Sequence, residues 1–357
     1  SLLKATENNT ANLEAQILLG LSYIELTQFE AAQTHFATIN SSDQRVSYYR
    51  GLLSAFSGEY EAAETYFNQT IEAGTSAQLS QNAQNFLASI SEYYLAEDAD
   101  PDYQKTLIGR SMAETYESTL AISLLYDVLR EEPDYRDAWI ILGYTYLTLE
   151  KYIDARDALI KALELDPTKA ETRYFLGLAY FGLDEYASSV PQFELAIESN
   201  FEPRVQVYQK LADAAVLAQE YAKAAEAYEN VLVLNSSEID LYIRPIWLYI
   251  DHLDDIDRAV ELAEQAITEH PNEAMSYNLL GWTQTAANNF EQAEQNLSYA
   301  LVLDSNLAAA YLNFGWWHEK QNQLEEAREN YKRAYTIDPG GSIGNLAADR
   351  YNNLANP

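Results

Sequence analysis

The chain has 357 residues, with 55 acidic and 22 basic side chains, a formal charge of −33 and no cysteine. So negative a surface repels phosphate backbones and anionic lipid heads, and without cysteine there is no disulfide, thiol nucleophile or thiolate metal site. Apolar runs fall well short of the roughly 18 residues that suggest a membrane span. In chain order, residues 1–12 read as the tail of a preceding helix or an N-terminal cap, with Leu2 and Ala5 in helical register. The chain opens on Ser1 with neither a basic start nor an apolar signal core, so any targeting segment is expected to have been removed.

Two helical hairpins follow over 13–76. The stretch 77–101 breaks the pattern as one inserted helix, Leu79 to Leu95, and an acidic turn ending at Pro101. Seven further hairpins fill 102–341, and 342–357 reads as a terminal covering helix after Gly340–Gly341. The clearest unit is RDAWIILGYTYLTLEKYIDARDALIKALELDPTK, Arg136–Lys169, and the next begins 34 residues on at Ala170. In it Trp139, Leu142, Tyr146 and Leu147 recur at helical spacing. The chain turns at Leu149–Tyr152, and a second helix carries Ala155, Leu159 and Ala162 before Pro167 stops it. A fixed period of this length means that each unit needs its neighbours to bury its apolar face. Pro245 and Trp247 disturb the first helix of one later unit, so a kink is expected there.

A small residue recurs in the first helix, as Gly20, Gly51, Gly109, Gly143, Gly177, Ala212, Gly281 and Gly315. Twelve residues along, a second small one recurs as Ala32, Ala63, Ala121, Ala155, Ser189, Ala224, Ala293 and Ala327. Trp139, Leu142–Gly143, Tyr146, Ala155, Ala162 and Pro167 resemble the tetratricopeptide repeat family in residue type and spacing, and the match recurs in register over nearly the whole chain. The resemblance implies an all-α fold, a right-handed α-α superhelix (solenoid) of tandem helix-turn-helix units, whose first helices line a concave side.

Chemistry finds little footing in the residues. His35, His252, His270 and His318 lie in different units without metal-ligand spacing. Acidic pairs such as Asp254–Asp255 read as turn and surface residues, and no glycine-rich phosphate loop or calcium loop is present. The sequence therefore predicts no enzyme, no catalytic residue, no metal and no cofactor. It predicts a non-catalytic protein-interaction scaffold that binds a peptide or helical segment of a partner.

By the resemblance, the groove residues are Tyr144, Tyr174, Leu178, Phe181, Leu248, Asn278, Trp282 and Trp316, an apolar and aromatic seam. Repeats that clasp a chaperone's carboxylate tail carry asparagine, lysine and arginine here; Arg110, Lys210, Arg244 and Asn313 are polar in that sense but too scattered for it. Trp317 is expected to be buried against the terminal helix. The partner is expected to be a protein or peptide, with a basic region as one form of it, and not nucleic acid or a membrane interior. Two alternatives stand beside this: a regulatory or targeting module of a larger enzyme or secretion machine, and an RNA-binding helical repeat, which the acidity argues against. Compartment stays open between cytoplasm and export, the absent cysteine favouring export; partner identity and oligomeric state are not encoded legibly.

Overall fold

The structure is a computed structural model in which residues 13–95 and 101–355 are described. The expected N-terminal cap and the acidic turn after Leu95 lie outside those residues. The described residues form α-helices joined by short turns, with no strand among them. They fall into two compact units, Ser1–Glu185 and Tyr186–Pro357. No described helix is long and apolar enough to cross a membrane.

The first unit holds α1 (Leu13–Glu25), α2 (Phe29–Thr38), α3 (Gln44–Phe56), α4 (Tyr60–Ala73), α5 (Ala77–Leu95), α6 (Pro101–Glu114), α7 (Ser118–Glu131), α8 (Arg136–Thr148), α9 (Tyr152–Leu165) and α10 (Ala170–Gly182). Four antiparallel pairs, α1–α2, α3–α4, α6–α7 and α8–α9, are hairpins whose turns each pass through one residue of positive φ. Those residues are Thr27, Gly58, Tyr116 and Glu150, with φ of 56°, 77°, 65° and 56°. Only Gly58 takes this conformation without a steric cost.

The small residue of each first helix has a specific partner, and it is not the second small residue twelve positions along. A Cβ added to Gly20 would lie 2.4 Å from the ring of Phe36, and one added to Gly51 would lie 2.7 Å from Phe67. At Gly109 the neighbour is Leu125 at 3.0 Å and at Gly143 it is Leu159 at 2.5 Å. Each partner stands sixteen residues on and is fully buried. Small therefore meets large across each hairpin, which is how an interior reaches close packing without voids.

The inserted helix α5 packs between α4 and α6. Its Phe86 is part of the core, stacked on Phe67 at 4.9 Å between centroids. Gln44, 2% exposed at the head of α3, fixes its start. Its amide nitrogen donates to the carbonyls of Thr70 and Ser76 and to the Ser80 hydroxyl, at 2.8, 3.1 and 3.0 Å. Its oxygen accepts from the Thr75 hydroxyl at 2.7 Å and the Ser76 amide at 2.5 Å.

After α5 the chain returns so that α7 touches α1. Glu117, in the α6–α7 turn, is caught in this contact. Burial pushes its carboxyl up to about 7, against the pull of the nearby Tyr48 hydroxyl and with help from the negative charge of Glu25. The ordinary carboxyl value is about 4.3, so between these values the folded state holds more protons than the unfolded one. Stability then falls as pH rises through that window. Glu117→Gln removes the fall. In denaturant titrations the variant gains on the wild type from pH 4.5 to pH 8; a difference constant across that range would contradict the assignment.

The second unit holds α11 (Tyr186–Glu198), α12 (Arg204–Leu217), α13 (Tyr221–Leu234), a 3₁₀ turn (Ile239–Tyr242), α14 (Ile243–Asp251), α15 (Ile256–Glu269), α16 (Ala274–Ala286), α17 (Phe290–Leu303), α18 (Ala308–Lys320), α19 (Leu324–Ile337) and α20 (Ser342–Ala355). The small–large pairing continues, with Gly281 against Leu297 at 2.6 Å and Gly315 against Tyr331 at 2.4 Å. Pro245 produces no kink in one long helix. The helix is divided instead: a 3₁₀ turn precedes the short α14, and Pro245 lies in its first turn, where a missing N–H costs nothing. The terminal helix α20 packs chiefly on α19, its Ala347 in one buried cluster with Tyr331 and Ala334.

Candidate partner-binding clefts

Each unit carries a cleft lined by its first helices. In the first unit a cleft of about 280 Å³ is walled by Ile140, Ile141, Tyr144 and Phe175, with Arg110 and Lys169 facing Glu114, Asp137 and Glu171. Tyr144 is half-buried and its ring lies 5.3 Å from that of Phe175. Burial raises the hydroxyl pKa of both Tyr144 and Tyr174. Partial desolvation raises the carboxyl of Glu114, an exposed residue, as well, against the attraction of Arg110. Tyr174, beside Phe175, does not line the cleft, nor do Leu178 and Phe181, which are half-buried on the same helix. Of the four residues expected in this unit, the cleft gathers Tyr144.

The cleft in the second unit is of about 310 Å³. Trp247 comes from α14, Trp282 from α16 and Trp316 from α18, so three of the chain's five tryptophans meet at one place. Its floor is polar. Asn278 is 2% exposed and accepts from the Asn313 amide at 2.9 Å, so its oxygen is already engaged within the fold. The terminal helix supplies a further wall through Ile343, Leu346 and Arg350. Tyr331, also in the lining, donates its hydroxyl to Glu319 at 2.5 Å, and burial together with that bond holds the hydroxyl far above its usual range.

Leu248 is not part of this surface: it is fully buried. In α16 and α18 the small residue is inside and the next one, Trp282 or Trp316, is half-exposed. In α14 the order is reversed, with Trp247 half-exposed and Leu248 inside. An indole does not fit the close approach where the other helices have glycine. The 3₁₀ turn before α14, tighter than an α-turn, goes with a change of phase of one residue, about 100° of helix rotation. Trp247 was therefore missed as a lining residue. Its signal was in the sequence, as the one bulky residue in the row of small ones.

Trp317 is buried, at 8% exposure, but not against α20. Its indole N–H donates to the Phe290 carbonyl at 2.9 Å and it clusters with Ala293 and Leu297 of α17. The histidines serve packing and turns: His35 contacts the Gln16 carbonyl at 2.7 Å, His270 the Ser236 carbonyl at 2.8 Å, and His252 stacks on Tyr221 at 3.8 Å. Among the described residues no three His, Asp or Glu side chains gather to hold a metal ion.

Residues 137–169 and 170–203 match one profile described as Tetratricopeptide repeat, and 252–308 and 280–342 match another. The peroxisomal targeting signal receptor of Saccharomyces cerevisiae is 26% identical over 204 residues, 55% of this chain and 33% of that protein. The BBSome complex member BBS4 of Bos taurus is 25% identical over 248 residues, 65% of this chain and 47% of that protein. The chain thus spans between about a third and about half of these relatives. The C-terminal part of a TPR repeat-containing protein from Cytophaga hutchinsonii superposes with a TM-score of 0.50 at 12% identity, over 69% of this chain and 98% of that one, a likeness of fold. Paired helices, close glycine contacts and two matching profiles agree: the chain belongs to the tetratricopeptide repeat family.

Proposed function

We propose that the chain is a non-catalytic scaffold that holds a segment of a partner protein, with the tryptophan cleft of the second unit as its principal anchor site. One observation carries this reading: three indoles from three successive hairpins, with apolar walls from α20, surround an open cleft rather than filling a core. Each indole offers a large contact area with little rotamer entropy to lose. Fully burying one apolar anchor side chain contributes roughly 1.5–3 kcal/mol. Two or three such anchors offset the ordering of a bound segment and leave micromolar affinity. Tyr144, with Arg110 and Lys169, offers a second and more polar contact. Tyr174, Leu178 and Phe181 belong to the same proposed surface on α10.

The yeast relative is a receptor for a targeting signal by name, which supports the reading of a segment-binding module and, as a second reading, a targeting role within a larger assembly. Division of the chain into repeats over 13–76, an inserted helix over 77–101 and repeats over 102–341 accompanies the proposal. Trp282→Ala with Trp316→Ala is expected to weaken capture of a cognate segment at least about tenfold, the loss of one anchor's worth of burial, while helix content and melting stay within a few degrees of wild type. Unfolding of the double variant would make these indoles core residues and sink the reading.

A further inference from the structure

The tryptophan cleft is not simply greasy, and its electrostatics select among anchors. Resting on the function proposed above, we infer that this cleft is a cation-accepting site, built to seat an arginine or lysine side chain of a basic partner segment with its stem against the indoles and its charge at Asp251.

Four observations converge. First, Trp247, Trp282 and Trp316 line one cleft, and the negative face of an indole is the strongest aromatic partner for a cation. Second, this end of the chain already uses that contact internally. Lys320 Nζ lies 5.3 Å from the centre of the Trp316 ring, and the guanidiniums of Arg328 and Arg333 lie 5.0 and 4.7 Å from the rings of Tyr351 and Tyr311.

Third, the charges at the rim favour a cation. Asp251 lines the cleft, is exposed, and enters no ion pair among the described residues. It is also the last residue of α14, so the negative end of that helix dipole adds to its field. Arg350 is the one cation in the lining, and Glu319 answers it at 3.7 Å. Fourth, the chain as a whole carries −33, which draws a basic segment towards it and repels an acidic one. An aliphatic anchor would use the walls and leave Asp251 idle; a basic side chain, apolar along its stem and charged at its head, uses both.

The test uses three fluorescein-labelled octapeptide pools, randomised over uncharged residues except for a central arginine, citrulline or norleucine, titrated against the whole chain by anisotropy. Citrulline keeps the shape of arginine without its charge. The arginine pool is expected to bind at least about tenfold more tightly than either other pool, since a desolvated cation–π contact and a carboxylate together exceed the free energy of one decade. Trp282→Ala should bring the arginine pool down to the citrulline level. Asp251→Asn should weaken it several-fold and lessen its salt dependence, while the norleucine pool is unaffected.

Norleucine binding as well as arginine would overturn the inference and leave the scaffold reading intact. Arginine binding undiminished in Trp282→Ala would overturn it too, by locating the attraction elsewhere on the acidic surface. Failure of all three pools to bind would count against the cleft as an anchor site of any kind, and so against the proposed function itself.

Discussion

Replacing Gly315 by valine is expected to destabilise the last hairpin by about 1–3 kcal/mol or more, although valine is the better helix former. The first added carbon alone would lie 2.4 Å from Tyr331 Cε1 and 2.5 Å from Cδ1. The ring cannot yield: Tyr331 is fully buried and its hydroxyl is held by Glu319 at 2.5 Å. Tyr331→Ala alone should cost about 3–5 kcal/mol as a cavity. The double variant should then be more stable than the sum of the singles by about 1–3 kcal/mol, the coupling expected of residues in direct contact. Stacked hairpins need not unfold as one unit, so the measurement is hydrogen-exchange protection in α18 and α19 for all four proteins. Additive losses would mean that the two positions do not share one packing space.

The second large effect is expected at Gln44. Its five hydrogen bonds tie the head of α3 to the end of α4 and the start of α5. Gln44→Ala removes all five, each worth about 0.5–1.5 kcal/mol net, and leaves the half-buried Ser76 amide without its acceptor, while the Thr70 and Ser76 carbonyls keep the backbone N–H groups of Gly74 and Ser80. A total loss of about 3 kcal/mol is expected, with α5 losing exchange protection first. Gln44→Glu should not restore it, because a carboxylate accepts but cannot donate to the Thr70 carbonyl. A loss below about 1 kcal/mol, or one spread evenly over the chain, would show that α5 is held by its apolar contacts alone.

The hairpins were legible because their signal is local and periodic: the small residue of the first helix and the aromatic or aliphatic positions around it. The partner of that small residue also lies in the sequence, sixteen positions on, but it varies between aromatic and aliphatic while the small residue at twelve is regular. Phe36, Phe67, Leu125, Leu159 and Tyr331 look like ordinary core residues until the space opposite each is known.

Among candidate site residues, Trp282 and Trp316 follow a rule of register and meet as that rule implies. Leu248 follows the same rule and is buried, because Trp247 cannot occupy the small position and the short helix α14 turns by one residue. The walls from α20 obey no spacing rule; Ile343, Leu346 and Arg350 arrive through the packing of a terminal helix on α19. The role of Gln44 was hidden for the same reason, since its partners lie 26 to 36 residues away.

Fluorine NMR of the whole chain labelled with 5-fluorotryptophan gives one signal per indole, five in all, each assigned by a single Trp→Phe variant. On titration with the arginine pool, the signals of Trp247, Trp282 and Trp316 should move together along one binding curve while those of Trp139 and Trp317 stay in place. Binding that shifts Trp139 or Trp317 and leaves the three cleft indoles still would contradict the account.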